Sequence, residues 1–252
     1  MFLKYQCLVI VIFGVCVAVH LPPEIKVCLK SDPNFEECMK KSIGSTLKFL
    51  KDGNKELGFP IIEPFYVEKL ELVADPKKSV KLSQQYEHIY MHGFTNSEVT
   101  KFNLNFGIPG KSACEWKMEI YTPISRMEAN YKLTGQILLF PINGHGKCNV
   151  TLINLRNQHS AQCETYTKKG KTYLRLTRYT INMKADNCHF DFPNIIPGNE
   201  QISKEVGKIV NENSLEIFQD VKSGFEQMLS KLHKDAANNI LTKFPEEELF
   251  GV

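Results

Sequence analysis

Apolar and polar residues alternate in the middle of the chain, and this alternation predicts β-strands. In residues 101–108 and 114–120 every second side chain is apolar, and most of those between are charged or carry amides. Successive side chains of a strand point to opposite faces, so each segment has one apolar and one polar face. The pattern therefore predicts an antiparallel sheet with one face in water. Its apolar face includes Phe102, Phe106, Trp116 and Met118.

Residues 131–155 predict a hairpin, because two apolar, β-prone runs flank a cluster of Pro, Asn and Gly residues at 141–146. We place the turn in that cluster. Four consecutive apolar residues, 137–140, leave neither face of the first strand suited to water, so we expect the sheet to enclose something. Alternation puts Tyr131, Ile137 and Leu139 on one face, which we predict to point inward.

Helical periodicity appears near both ends of the chain. After the Asp and Pro at 32–33, apolar residues recur every three or four positions, which predicts a short amphipathic helix that ends by Gly53 or Gly58. The same spacing continues from about residue 201 to 232, roughly 50 Å at 1.5 Å per residue, and predicts one long helix. Its apolar stripe includes Phe218, Phe225 and Met228.

Together these elements predict an α+β fold. A strongly curved antiparallel sheet wraps around one long C-terminal helix, and the short N-terminal helix lies beside it. Such a wrap can leave an apolar tunnel along its axis. Tyr131 is the candidate polar anchor for a ligand, because a phenol joins an apolar body to one hydrogen-bond donor. For each wall residue taken singly, ordinary core packing is the alternative interpretation. The candidate wall residues are Phe102, Phe106, Trp116, Met118, Ile137, Leu139, Phe218, Phe225 and Met228.

The first residues predict a secretory signal peptide, residues 1–18. Lys4 is the only charge before the uncharged run 7–19, and small residues at Cys16 and Ala18 suit a cut after Ala18. A membrane anchor is the alternative, but the run is shorter than the ~20 residues that a spanning helix needs. We therefore expect a secreted, extracellular protein whose mature chain, 19–252, is a single domain.

Charge excludes one class of partner. Removing Lys4 from the 31 basic residues leaves 30 against 28 acidic ones, so the mature chain carries a formal charge near +2. So small a charge does not mark a nucleic-acid binder. We expect no nucleic-acid partner.

Six cysteines remain after the predicted cut, which in a secreted protein indicates disulfides. Cys28 and Cys38 flank a helix-start cluster, and their proximity predicts a bridge. Counting back from the turn at 169–170 places Cys188 opposite about residue 151, close enough to Cys148 for a bulge to allow a second bridge.

Two cysteines, Cys114 and Cys163, have open assignments. Cys114 is in phase with the apolar side chains of its strand, so a small buried hydrophobe and a bridge are both consistent with the pattern. One sequon, Asn149-Val150-Thr151, makes Asn149 a candidate glycosylation site if that side chain faces solvent.

No motif predicts an enzyme. The sequence contains no GxSxG, HExxH or P-loop pattern, and we expect neither a catalytic residue nor a cofactor. His145 with Cys148, and His159 with Cys163, have spacings that superficially suit zinc. Strand alternation separates neighbouring side chains and a secreted chain keeps few free thiolates, so we expect no metal.

Several motifs in order resemble one family. They are LPPEIKVC before Cys38, HGF at 92–94, the central run from Tyr131 through Pro141, Gly144 and Gly146 to Asn154, KTYLRLTRYTINM at 171–183, and FPEEELF at 244–250. The chain is similar over nearly its whole mature length to the insect juvenile hormone binding protein and takeout family, which has circadian-related members. The resemblance implies a tubular lipid-binding (TULIP-like) fold and again a bridge between Cys28 and Cys38.

The resemblance also implies a function. It points to a carrier of a small hydrophobic ligand, such as a juvenile hormone-like terpenoid, a fatty acid or a related lipid, in haemolymph or another extracellular fluid. The expected partners are that ligand and an extracellular receptor, and the expected state is a monomer. The alternative is a lipid-binding defence or membrane-interacting protein of the same fold, for which the basic loop at 168–171 would be the contact surface.

Overall fold

A computed structural model describes residues 21–78, 80–108 and 112–251, and the predicted signal peptide lies outside them. Four α-helices and seven β-strands lie within the described ranges. In chain order they are α1 Phe35–Phe49, β1 Phe65–Leu72, β2 Val80–His92, β3 Glu98–Ile108, β4 Ser112–Ile137, β5 Phe140–Lys168, β6 Lys171–Lys184, β7 Asn187–Asp191, α2 Glu200–Glu212, α3 Ser214–Leu241 and α4 Glu246–Phe250.

The strands form one antiparallel sheet in the order β1-β2-β4-β5-β6. Two further strands pair with the longest members, β3 with β4 and β7 with β5. β4 has 26 residues and β5 has 29, so each is long enough to pair with different partners at its two ends. The sheet does not close on itself, and α3 lies against it, most extensively along β6. The predicted architecture of a curved sheet around a C-terminal helix is confirmed.

The hairpin between β4 and β5 forms, but its turn is not where the Pro and Gly cluster indicated. Ile137 pairs with Phe140, so the turn consists of Leu138 and Leu139, and the cluster at 141–146 lies inside β5. Leu139 is 87% exposed, so its predicted inward position is wrong, whereas Ile137 is buried. Glycine is needed in β5 for close packing: a Cβ on Gly144 would lie 2.7 Å from the Ile195 Cα.

Two disulfides occur in the described residues. Cys28 bonds Cys38, as predicted, and ties the incoming segment to α1. Cys114 bonds Cys163, its direct partner on the neighbouring strand.

The second bridge predicted from counting, between Cys148 and Cys188, does not form, and both thiols are buried and free. The position expected for Cys188, opposite about residue 151, is almost correct, since Cys188 pairs with Leu152 in the sheet. Leu152 is four residues from Cys148, or about 13 Å along a strand at 3.3 Å per residue, too far for a disulfide.

The predicted C-terminal helix is two helices. The chain breaks at Asn213, whose side-chain amide donates to the Ile209 carbonyl at 2.8 Å and so ends α2. Asn211 holds α2 against β7, because it accepts from the Phe190 N–H and donates to the Phe190 carbonyl, both at 2.8 Å. The long helix is α3, and it continues to Leu241, beyond the predicted end.

Side chains of α3 satisfy the free edge of β6, and we call this set of contacts the seam. Asn238 accepts from the Leu176 N–H at 2.7 Å and donates to the Leu176 carbonyl at 3.1 Å. Ser230 and Glu226 accept from the N–H groups of Ile181 and Met183, at 2.9 and 2.8 Å. Glu226 and Ser230 are four helical residues apart, a rise of about 6 Å, and their partners Met183 and Ile181 are two strand residues apart, about 6.6 Å. The spacing along the helix therefore matches the spacing along the strand.

The other border of the sheet also reaches α3. The Val80 N–H, at the start of β2, donates to Asp220 Oδ2 at 2.9 Å, and Lys78 donates to the Asp220 carbonyl. Gly224 lies against the side chain of Leu72 on β1, where a Cβ would overlap Leu72 Cδ2. The same helix therefore contacts both borders of the open sheet.

We predict that Asn238→Ala lowers the free energy of unfolding by about 2 kcal/mol, because it leaves one N–H and one C=O of the β6 edge without their partner. Urea unfolding measures this change. Gln227→Ala is the matched control, since Gln227 is exposed on the same helix and such changes usually stay within about 0.5 kcal/mol. Equal midpoints for the two variants would contradict the role of the seam.

We predict that Cys148 and Cys188 resist alkylation in the native protein and react together when it unfolds. Burial raises the pKa of the Cys148 thiol to about 12 and that of Cys188 to about 11, so little thiolate is present at neutral pH. Mass spectrometry after alkylation in denaturant, without reductant, should label only these two among the six cysteines of residues 19–252. Labelling of Cys114 or Cys163 under those conditions would show that their bond is absent.

Candidate functional site

Two adjoining cavities lie between the sheet and the helices. The large chamber has a volume of about 300 Å³ and lies between α1, β4 and the C-terminal half of α3. The small chamber has a volume of about 90 Å³ and lies between the middle of the sheet and the N-terminal half of α3. Phe94 and His233 line both, so the two chambers share a border.

The large chamber is almost wholly apolar. From α1 come Met39, Ile43 and Leu47, which recur every four residues and so share one face of the helix. β4 contributes Trp116 and Met118 by strand alternation. The hydroxyl of Ser42 borders the cavity but donates to the Lys26 carbonyl at 2.6 Å, so it is already satisfied. The rest of the wall comes mainly from the C-terminal half of α3 and from α4, including Leu232, Ala236, Ile240 and Leu249, and from residues in the ranges 21–26 and 59–65.

The small chamber is lined by methionines and aromatic residues. Met91 and Met127 are register partners on β2 and β4. Such flexible thioethers adapt to ligands of irregular shape. Phe218 and Phe225 enter from α3, as predicted from its apolar stripe. Lys222 also lines this cavity, but its ammonium donates to the Met183 carbonyl at 2.8 Å and pairs with Glu226 at 3.0 Å.

A polar cluster of His159, Tyr179 and His233 lies at the border of the chambers. His159 Nδ1 lies 2.8 Å from the Tyr179 hydroxyl, and His233 Nδ1 donates to the Leu229 carbonyl at 2.8 Å. The His233 ring is 5.7 Å from that of His159 and stacks on that of Tyr179 at 6.0 Å. Burial lowers the pKa of His159 to about 3 and also lowers the pKa of His233, so both imidazoles are neutral near pH 7.

The predicted wall residues divide between cavity and core. Trp116 and Met118 line the large chamber, and Phe218 and Phe225 line the small one. The others lie elsewhere and are mostly packed in the core. Tyr131 is buried with its ring edge-on to Phe192 at 4.8 Å, and it lines neither chamber.

Three further predicted residues also lie away from the chambers. Phe102 is buried under α1, beside a shallow outer cleft. Phe106 is 37% exposed and packs on Phe250 of α4. Met228 is half-buried against the core.

The polar cluster was missed at the level of sequence. His159 was considered only as half of a zinc spacing with Cys163, which is in fact disulfide-bonded. Tyr179, Ile181 and Met183 occupy every second position of β6 and so share one face. This spacing is a signal that could have placed Tyr179 on the inner face. His233 follows Leu229 by four residues, so it shares the buried face of α3.

Other candidate features can be located within the described residues. Asn149 is exposed on β5, where its amide lies 3.5 Å from Asp191 Oδ2, and its glycosylation stays a prediction. In the ranges described, no three His, Cys, Asp or Glu side chains are grouped to hold a metal ion. None of the described helices is long and apolar enough to cross a membrane.

The arrangement of an open sheet around a long helix is shared with a solved structure. The fold matches the crystal structure of Epiphyas postvittana Takeout 1 with a TM-score of 0.77, over 90% of this chain and 100% of that one, at 18% sequence identity. The molecule therefore has the takeout-type, TULIP-like fold that the sequence motifs indicated.

Residues 7–251 match the haemolymph juvenile hormone binding protein (JHBP) family, and the chain belongs to that family. Two curated relatives are the circadian clock-controlled protein daywake of Drosophila yakuba and of Drosophila melanogaster. Each is 20% identical over 231 residues, which cover 91% of this chain and 88% of the relative. The family resemblance predicted from the motifs is confirmed.

We predict that acid destabilises the protein partly through His159. Its pKa is about 3 when folded and 6.5 when unfolded, so the unfolded state binds a proton first and stability falls as the pH drops below about 6.5. Between pH 7.5 and 5.0 this histidine accounts for about 2 kcal/mol. Urea unfolding at both pH values should show that His159→Leu loses less stability on acidification than the wild type.

The control is His145→Leu, which makes the same change at an exposed position of β5. This variant should lose as much stability on acidification as the wild type. An identical acid response of His159→Leu and wild type would show that His159 is not held neutral in the fold.

Proposed function

We propose that this protein is a secreted, non-enzymatic carrier that holds a small hydrophobic ligand in the two chambers. The observation that carries the proposal is the pair of adjoining cavities, whose walls are aliphatic, aromatic and thioether side chains from the sheet, α1 and α3. Preformed concave sites with mostly apolar walls and a few polar groups are typical of small-molecule binding. Membership of the JHBP family supports the same class of ligand.

The energetics suit a carrier. A terpenoid or fatty acyl chain that buries about 300–400 Å² of apolar surface gains roughly 8–10 kcal/mol before costs. Association and ordering consume several kcal/mol, so apolar burial alone leaves roughly 4–7 kcal/mol, which corresponds to dissociation constants between about 10 μM and 1 mM. Binding of that strength allows both loading and release. Trp116, Met118, Phe218 and Phe225 are the predicted ligand contacts that border the chambers.

Secretion is supported by two disulfides, which form and persist in oxidising compartments. With the predicted signal peptide removed, residues 19–252 would act as one domain and as a monomer. The alternative of a membrane-interacting protein has weaker support from charge, because the basic loop and its neighbour Arg175 are partly neutralised: Lys171 pairs with Glu247 at 2.9 Å, and Arg175 pairs with Glu164.

Native purification followed by organic extraction and mass spectrometry tests the proposal directly. We expect an apolar molecule to co-purify with the protein, or an empty protein to bind fatty-acid or terpenoid probes. A protein that is empty and binds neither class of probe would contradict the carrier function. Pelleting with liposomes, with and without anionic lipid, would separate a soluble carrier from a membrane-interacting protein, which should pellet with anionic vesicles.

We predict that Met118→Trp lowers the affinity for a fluorescent fatty-acid probe by about tenfold or more, because the larger side chain enters the space of the large chamber. The urea midpoint of the ligand-free protein should change little, since the added bulk enters a cavity. Leu139→Trp is the matched control, because it adds an indole at the exposed hairpin turn. Equal probe affinities in both variants would place the ligand outside the large chamber.

A further inference from the structure

Two buried polar atoms on one strand lack hydrogen-bond partners among the described residues. They are Asn157 Oδ1 and His159 Nε2, and both residues line the small chamber. The two positions are separated by one residue on β5, so their side chains leave the same face of the strand. His159 is only 3% exposed. A buried polar atom without a partner destabilises the fold, so such atoms require an explanation and often mark a site for a ligand or a water molecule.

The neighbours of His159 determine which hydrogen-bonding role remains. The Tyr179 hydroxyl lies 2.8 Å from His159 Nδ1. A phenol is the better donor and an imidazole nitrogen the better acceptor, so the Tyr179 O–H donates to Nδ1. A neutral imidazole that accepts at Nδ1 carries its proton on Nε2. His159 Nε2 is therefore an unused donor, and Asn157 Oδ1, two positions away on the same face of β5, is an unused acceptor.

We propose that this donor and acceptor bind the hydroxyl group of the cargo, so that the ligand is a long-chain or terpenoid alcohol. A hydroxyl accepts one hydrogen bond and donates another, which matches His159 Nε2–H and Asn157 Oδ1 together. The apolar remainder of the alcohol occupies the chambers. This inference rests on the proposed carrier function and specifies its ligand class.

A carboxylate is a poorer match for this site. Asn157 Oδ1 would face a negatively charged oxygen, and the neutral His159 supplies no charge to offset desolvation. Lys222, a cation in the wall of the small chamber, is already paired with Glu226 at 3.0 Å. Arg126 also borders this chamber but is exposed, so it would hold an anion at the rim and not at His159.

Three probes with the same twelve-carbon chain test the proposal by displacement of a fluorescent dye. They are 1-dodecanol, dodecyl methyl ether and dodecanoate. The alcohol can use both atoms, the ether can only accept from His159, and the carboxylate cannot donate to Asn157. We expect the wild type to bind the alcohol about tenfold more tightly than the ether, a difference of about 1.4 kcal/mol, and to bind dodecanoate least tightly.

Two variants test separately the hydrogen bond donated by His159 and the one accepted by Asn157. His159→Leu should weaken both the alcohol and the ether about tenfold, whereas Asn157→Leu should weaken the alcohol alone. His145→Leu, at an exposed position of the same strand, should leave all three affinities unchanged. Because Asn157→Leu leaves the contact between His159 and Tyr179 intact, it keeps the test decisive if His159→Leu does not fold.

The outcomes distinguish this inference from the proposed function. If the wild type binds the alcohol and the ether equally and neither variant changes this, water satisfies the pair and the inference fails, while the carrier function stands. Tightest binding of dodecanoate, unaffected by His159→Leu, would place the polar group at the rim and also overturn the inference. A wild type that binds none of the probes or the terpenoids would overturn both.

Discussion

The seam between α3 and β6 is the contact on which the rest of the structure depends. A sheet that curves without closing leaves edge N–H and C=O groups that need partners. Asn238, Ser230 and Glu226 provide them on β6, and Asp220 reaches the start of β2. With both borders of the sheet held by one helix, the apolar stripe of that helix must face the concave side. The two chambers are the space that remains between stripe and sheet.

Most of the architecture could be predicted from periodicity, because strands and helices bury their apolar residues at different spacings. The predictions are wrong at positions where one residue type can have more than one structural role. Gly144 indicated a turn, yet it gives Ile195 room to approach β5, and the actual turn at Leu138–Leu139 carries no turn signal. The break at Asn213 depends on a side-chain cap within an otherwise continuous apolar pattern.

The candidate site was less predictable than the fold. Trp116, Met118, Phe218 and Phe225 follow from alternation or helical spacing, which shows which face is buried but not which buried residues border a cavity. That distinction depends on how far facing elements stand apart. The polar cluster depends on three elements, since His159, Tyr179 and His233 come from β5, β6 and α3. No local pattern connects residues that meet only after the sheet has curved.

The helix in the seam has a consequence for how such proteins diverge. In a closed barrel the internal width follows from strand number and stagger, so changing it requires new strand pairings. Here part of the wall is helical, and small residues such as Ala236 border the large chamber while other residues of α3 hold the sheet. Cargo size can therefore shift by single substitutions that leave every strand pairing unchanged. This separation between the residues that maintain the fold and those that shape the interior allows one scaffold to acquire many specificities.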